Sequence, residues 1–131
     1  MELRILVLED QEDSAYMMSL LLQCWGYDPT VVYNGKRALE VAKSLCPHVA
    51  FLDIGLPDMD GCEVARQMRG MPETSKVFLV AITGYGREED IRRCKEAGID
   101  FHLLKPVKPE IIKEVLEFTA RMSCDDGETT G

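Results

Sequence analysis

Five short apolar runs, separated by stretches of helical periodicity, decide most of what this chain can fold into. Leu3 to Leu8 is interrupted only by Arg4 and ends at Glu9-Asp10. Asp28 to Tyr33 carries Val31 and Val32; Val49 to Leu52 ends at Asp53. Lys76 to Ile82 ends at Thr83-Gly84, and Phe101 to Leu104 ends at Lys105-Pro106. Runs that are apolar throughout, rather than alternating, suit strands covered on both faces. Such strands usually belong to a parallel sheet.

The stretches between them repeat at helical spacing. Asp13 to Trp25 places Ala15, Met18, Leu21, Leu22 and Trp25 on one side, with Asp13 as its expected N-cap and Gly26 as its stop. After the Asn34-Gly35 turn, Lys36 to Leu45 reads as the second helix, and Cys62 to Arg69 as the third. Glu88 to Ala97 is closed by Gly98, and a last helix runs from Pro109 to about Met122. Ile54 to Gly61 holds two Gly, one Pro and two Asp in eight positions, so it is irregular. Alternating strands and helices give an α/β three-layer domain with right-handed crossovers. It is expected to fill residues 1–122, with 123–131 as a flexible polar tail or the start of a linker.

Charge and cysteine content narrow the function. The 15 Lys+Arg against 23 Asp+Glu leave a net charge of -8, which lacks the basic surface of a nucleic-acid binder and is repelled by an anionic membrane. The five cysteines are odd in number and form no Cys-x-x-Cys, so neither a disulfide framework nor a zinc knuckle is expected. Cys24, Cys46, Cys62 and Cys94 read as small buried or half-buried residues suited to a reducing cytoplasm. The N-terminus enters a strand without a signal peptide, and no apolar run approaches the ~20 residues of a membrane span.

In an open α/β sheet, ligands bind beyond the carboxyl ends of the strands. There stand Glu9, Asp10, Asp53, Thr83 and Lys105. Three close carboxylates repel one another unless a cation holds them ionised, and an all-oxygen set suits Mg²⁺ or Mn²⁺. Taken singly, each also reads as a loop residue or helix cap, Thr83 also as a cap, and Lys105 as a solvated lysine. A carboxylate such as Asp53 can attack a phosphoryl group, with the cation, Lys105 and Thr83 offsetting charge. No Gly-rich phosphate cradle is present, so the donor comes from outside.

The segments Ile5-Leu6-Val7-Leu8-Glu9-Asp10, Phe51-Leu52-Asp53 through Gly61, Ala81-Ile82-Thr83-Gly84 and Leu104-Lys105-Pro106 together resemble the receiver domain of two-component response regulators. The resemblance covers Leu3 to about Arg121 and takes in the chemotaxis regulator and the receiver modules of hybrid sensor kinases. It implies a flavodoxin-like, doubly wound sheet of order 2-1-3-4-5 with five helices. It also implies phosphoryl transfer from a histidine kinase or histidine phosphotransfer protein onto Asp53. Mg²⁺ would be held by Glu9, Asp10, Asp53 and the backbone carbonyl of Gly55. Thr83 matches the switch hydroxyl, Lys105 the lysine that contacts the phosphoryl group, and the Lys105-Pro106 bond is expected to be cis.

Two positions depart from the commoner pattern. Glu9 stands where Asp is more frequent, one methylene longer. His102 stands where Tyr or Phe turns inward in the switch; an ordinary exposed strand residue is the alternative reading. Gly55 and Tyr85 occupy the positions that tune dephosphorylation, and neither offers an acid or amide to position water. Asp58 and Asp60 read as loop and cap residues. The resemblance places the signalling surface on the fourth helix, fifth strand and fifth helix, with Arg87, Arg92, Lys95, Lys108 and Lys113 as candidates. The chain is expected to act by protein contact or to belong to a longer protein with an output or kinase domain. A docking module without phosphorylation is disfavoured by the presence of Asp53, Thr83 and Lys105. A metal-dependent phosphatase would want an aspartate at position 55, and a flavin carrier would want a phosphate loop after the first strand.

Overall fold

The computed structural model describes residues 3–55, 60–84 and 88–130, the last eight of these by backbone alone. The chain runs β1 (Ile5–Leu8), α1 (Glu12–Cys24), β2 (Thr30–Val32), α2 (Gly35–Leu45), β3 (Val49–Asp53), α3 (Gly61–Arg69), β4 (Phe78–Thr83), α4 (Glu88–Glu96), β5 (Phe101–Leu104), α5 (Pro109–Thr130). All strand pairs are parallel and the sheet order is β2-β1-β3-β4-β5, as the resemblance implies. Leu8 pairs with Leu52 and Asp53 with Ile82, so the carboxyl ends of β1, β3 and β4 finish together.

The uniform burial of β1 and β3 follows from layers on both faces. Alternate residues feed two cores. Leu6, Leu8, Ala50, Leu52, Leu79 and Ala81 pack with Ala38 and Ala42 of α2, Val64, Ala65 and Met68 of α3, and Cys94 of α4. Ile5, Val7, Val49, Phe51 and Val80 pack with Leu22 of α1 and with Ile112, Val115 and Leu116 of α5. Arg69 ties α3 to the amino ends of β4 and β5. Its Nε donates to Gly98 O (2.9 Å), its Nη1 to Val77 O (2.6 Å), and its Nη2 meets Asp100 Oδ2 at 2.6 Å.

Several local expectations change. Asp13 is not the N-cap of α1: Gln11 holds that place, without a side-chain cap bond, and Asp13 lies in the first turn. There its charge still faces the positive end of the helix dipole. Asn34, read as part of a turn, caps α2 by accepting from Arg37 N (2.8 Å). Cys24 is exposed rather than buried, because it lies on the outer side of the last turn of α1. α5 continues to Thr130 rather than stopping near Met122. No proline occurs after Pro109, so nothing in that stretch removes a helical N–H. Gly26 and Gly98 both take positive φ (89° and 93°), as helix-ending glycines do. No helix among the described residues is long and apolar enough to cross a membrane.

Candidate functional site

The site forms where β1, β3 and β4 end. Glu9 follows β1 directly, and its N–H donates to Val32 O (3.0 Å), which extends the β1–β2 pairing by one step. Asp53 is the last residue of β3 itself. Both carboxylates are buried, at 8 % and 7 % exposure, while Asp10 is half-buried. A ligand atom from each of Glu9, Asp10 and Asp53 lies within 4.8 Å of the others. Lys105 Nζ lies 3.5 Å from Glu9 Oε1 and 3.6 Å from Asp53 Oδ2. Its backbone is fixed by a bond from Lys105 N to Thr83 O (2.8 Å), and the Lys105-Pro106 peptide is cis.

Two acids and one ammonium leave an uneven charge balance. Burial pushes the Glu9 carboxyl up to about 7, and the neighbouring Asp53 adds to the effect while Lys105 opposes it. Burial pushes Asp53 up as well. The hydrogen bond shared with Glu9, the Lys105 charge and the Gly55 N–H (3.1 Å from Oδ1) together outweigh it, so Asp53 sits below its ordinary value. A proton entering the pair therefore favours Glu9 over Asp53. Glu9 Oε2 is buried without a hydrogen-bond partner. An orphaned carboxylate oxygen beside two further acids fits a hard, oxygen-seeking divalent cation. Such an ion would favour ionised Glu9 and accept a lone pair from that oxygen.

Two residues fix the start of α3 beside Asp53. Asp60 caps α3, its Oδ1 accepting from Cys62 N (2.9 Å), as the sequence suggests for this residue. Its Oδ2 pairs with Arg93 of α4. Gly61 is required by close approach rather than by φ. A Cβ there would stand 2.4 Å from Asp53 O and 2.9 Å from Ile54 Cα, both backbone atoms.

The remaining expected residues fall as follows. Thr83 ends β4 at 4 % exposure, opposite Leu104 in the sheet. Gly55 is exposed beside Asp53. His102 is half-buried in β5, paired with Ala81, and its Nε2 is buried without a hydrogen-bond partner. Burial lowers its pKa, with Asp90 of α4 acting the other way. Arg92, Lys95, Lys108 and Lys113 are exposed, and Lys113 Nζ lies 5.9 Å from the centre of the Trp25 ring. Tyr85, Asp58 and Arg87 lie outside the described residues.

Two features were not foreseen from the sequence. One is the Asp60–Arg93 pair, which joins residues 33 apart and leaves no local spacing to detect. The other is a groove of about 730 Å³ that opens beside Asp53 and Lys105, walled by Met17, Met18 and Leu21 of α1 and by Val107 and Ile112. Consecutive methionines at 17 and 18 were its visible trace: one turns inward, while Met17 stays 65 % exposed.

The response regulator receiver domain family matches residues 5–117 of the chain. An uncharacterised 14.6 kDa protein of Leptolyngbya boryana is 32 % identical over 118 residues, covering 89 % of this chain and 90 % of that protein. The DNA-binding response regulator MtrA of Mycolicibacterium paratuberculosis is 34 % identical over 128 residues; the match covers 98 % of this chain but 55 % of MtrA. Among solved structures, the chemotaxis protein CheY4 of Vibrio cholerae superposes with a TM-score of 0.86 at 24 % identity, covering 91 % of this chain and 99 % of that one. The receiver domain of the sensor histidine kinase PA1611 of Pseudomonas aeruginosa, described with a magnesium ion in its active-site cleft, gives 0.82 at 26 % identity, covering 89 % and 96 %.

Proposed function

The chain belongs to the response regulator receiver domain family, and on that footing we propose that it accepts a phosphoryl group on Asp53 and thereby switches a protein-binding surface. The observation that carries the proposal is the state of Asp53. It is a buried carboxylate kept ionised, 3.6 Å from an ammonium and inside a three-acid cluster. An ionised carboxylate is the form that can attack phosphorus.

The donor is a phosphohistidine on a histidine kinase or a histidine phosphotransfer protein. An Asp53 oxygen forms the new O–P bond as the P–N bond breaks, and the histidine leaves with its electron pair and takes up a proton. Glu9, Asp10, Asp53 and the Gly55 carbonyl would hold Mg²⁺, with Mn²⁺ as a substitute, and the ion would supply charge neutralisation to the phosphoryl oxygens. Lys105, 3.5–3.6 Å from two of the acids, exchanges its carboxylate contacts for a phosphoryl oxygen. Thr83 donates its hydroxyl to the same group. The product carries roughly two negative charges in a buried pocket. That charge draws Thr83 and Lys105 inward and biases α4 and β5, with His102 following as the inward-turning ring. α4, β5 and α5 then present the altered surface. The fold is a signalling acceptor that promotes only its own phosphorylation and dephosphorylation.

Gly55 offers no side chain to orient a water, and Tyr85 at the second tuning position offers no acid or amide. The phosphoryl group is accordingly long-lived. Incubation with acetyl phosphate and Mg²⁺, followed by intact mass, should show one added phosphoryl group that persists for minutes after donor removal. The adduct should be absent in Asp53→Asn. No adduct on the parent chain, or an undiminished one on Asp53→Asn, overturns the assignment; loss within seconds overturns the lifetime.

A further inference from the structure

The seam between α3 and α4 holds a pair of groups that the phosphoryl site does not use. Cys62, the second residue of α3, and Cys94, near the end of α4, meet with their sulfurs 3.6 Å apart. Each is 2 % exposed. They are 32 residues apart in sequence, so the contact is tertiary. A lid covers them. Arg93, the residue before Cys94, pairs with Asp60 Oδ2, while Asp60 Oδ1 accepts from the backbone N–H of Cys62. The ion pair and the thiol pair thus close the same seam, one at its rim and one beneath.

Burial pushes the Cys62 thiol up to about 12 and raises that of Cys94 as well. With the seam shut, neither sulfur is a thiolate, and both are inert. If α4 lifts, both are released to water together, already facing each other. A disulfide needs the sulfurs at about 2.05 Å, so closure draws them together by only ~1.5 Å.

We propose that Cys62 and Cys94 are a redox modification site: a low-molecular-weight disulfide such as oxidised glutathione converts them to a disulfide that staples α4 to α3. Cys94 loses its proton and attacks one sulfur of the small disulfide, which expels one small thiolate. The Cys62 thiolate then attacks the Cys94 sulfur of the mixed disulfide and expels the second. Two protein thiols are oxidised, one small disulfide is reduced to two thiols, and the two protons end on the leaving groups. Arg93 and Asp60 gate the step, since α4 must part from α3 before either sulfur is reached. None of this requires Asp53 or a metal, so it stands or falls apart from the phosphoacceptor reading.

The test uses the full chain with Cys24, Cys46 and Cys124 changed to Ser, exposed to oxidised glutathione. Intact mass should fall by two hydrogens, and digestion without reductant should yield one peptide joining Cys62 to Cys94. Cys94→Ala should abolish that peptide, and Asp53→Asn should leave it unchanged. Arg93→Ala should close about threefold faster, as expected if loss of a half-exposed rim pair makes opening easier by about 0.6 kcal/mol. Backbone hydrogen exchange in α4 should slow in the oxidised form. Should the triple-Ser chain not fold, peptide mapping of the parent chain reads the same cross-link. Glutathione adducts without a Cys62–Cys94 peptide, or no reaction even in Arg93→Ala, overturn the proposal.

Discussion

Glu9 and Asp53 share one pocket and take opposite protonation behaviour. The Glu9 carboxyl titrates near 7 rather than its ordinary 4.5. Below 4.5 it is protonated folded or unfolded and costs nothing. Between 4.5 and about 7 only the folded state keeps the proton, so stability falls as pH rises through that window. Asp53 acts with the other sign: its contribution is in place above its ordinary 3.8 and is lost as pH falls through its lower folded value. Glu9→Gln should therefore flatten the metal-free stability profile between pH 4.5 and 7. It should leave the protein more stable than the parent by about 1–3 kcal/mol at pH 8, since a buried charge is replaced by a neutral isostere. Urea melts in the presence of a chelator measure this, and a parent profile already flat over that window would refute it. Asp10 completes the cluster from a half-buried position. At this scale the sequence was informative, because residues directly following parallel strands must gather at one sheet edge. The protonation split was not legible, since it depends on how deeply each carboxyl is buried.

Among the elements, α3 fixes the backbone that carries Asp53. Its first residue, Gly61, lies against the Asp53 carbonyl so closely that a methyl group has no place: the nearest atoms are main chain and cannot rotate away. Gly61→Ala should cost about 2–4 kcal/mol in chemical denaturation. It should also weaken Mg²⁺ binding, because the displaced backbone carries Asp53. An alanine variant with parent stability and parent affinity would contradict this. The need for glycine here is visible only once β3 and α3 are packed. Boundaries read from the chain agree with the observed elements to within about two residues for α1, α2, α3 and α4. The exceptions follow from missing local signals. Asp13 and Gln11 compete for a cap that neither fills with a side-chain bond, and α5 meets no proline that would end it near Met122. The Asp60–Arg93 and Cys62–Cys94 contacts join α3 to α4 and have no sequence periodicity at all.

For the whole molecule, the acids form a stability reservoir that a cation can release. A Mg²⁺ ion held by the folded cluster and not by the unfolded chain would add about 2.7 kcal/mol at one hundred times its Kd. For a domain of this size that raises Tm by about 10 °C. Melts with Mg²⁺ and with EDTA should differ by that order, and the difference should shrink to a degree or two in Asp10→Asn. A melting point indifferent to Mg²⁺ would remove the cation from the site. The opposite end of the sheet answers to different forces. There Arg69 satisfies the carbonyls of Gly98, Ser75 and Val77 and pairs with Asp100, so the amino ends of the strands are clamped without help from any ion.

The alternation that sends Val49 and Phe51 to one core and Ala50 and Leu52 to the other continues to the end of each strand. By that parity Asp53 leaves β3 on the side of α1 and α5, and Thr83, following Leu79 and Ala81, leaves β4 on the side of α3 and α4. A covalent group on Asp53 that is also grasped by Thr83 would straddle the rim of a two-sided wall. A group so placed would be felt on both faces of the sheet at once, by the α1 and α5 layer and by the α3 and α4 layer.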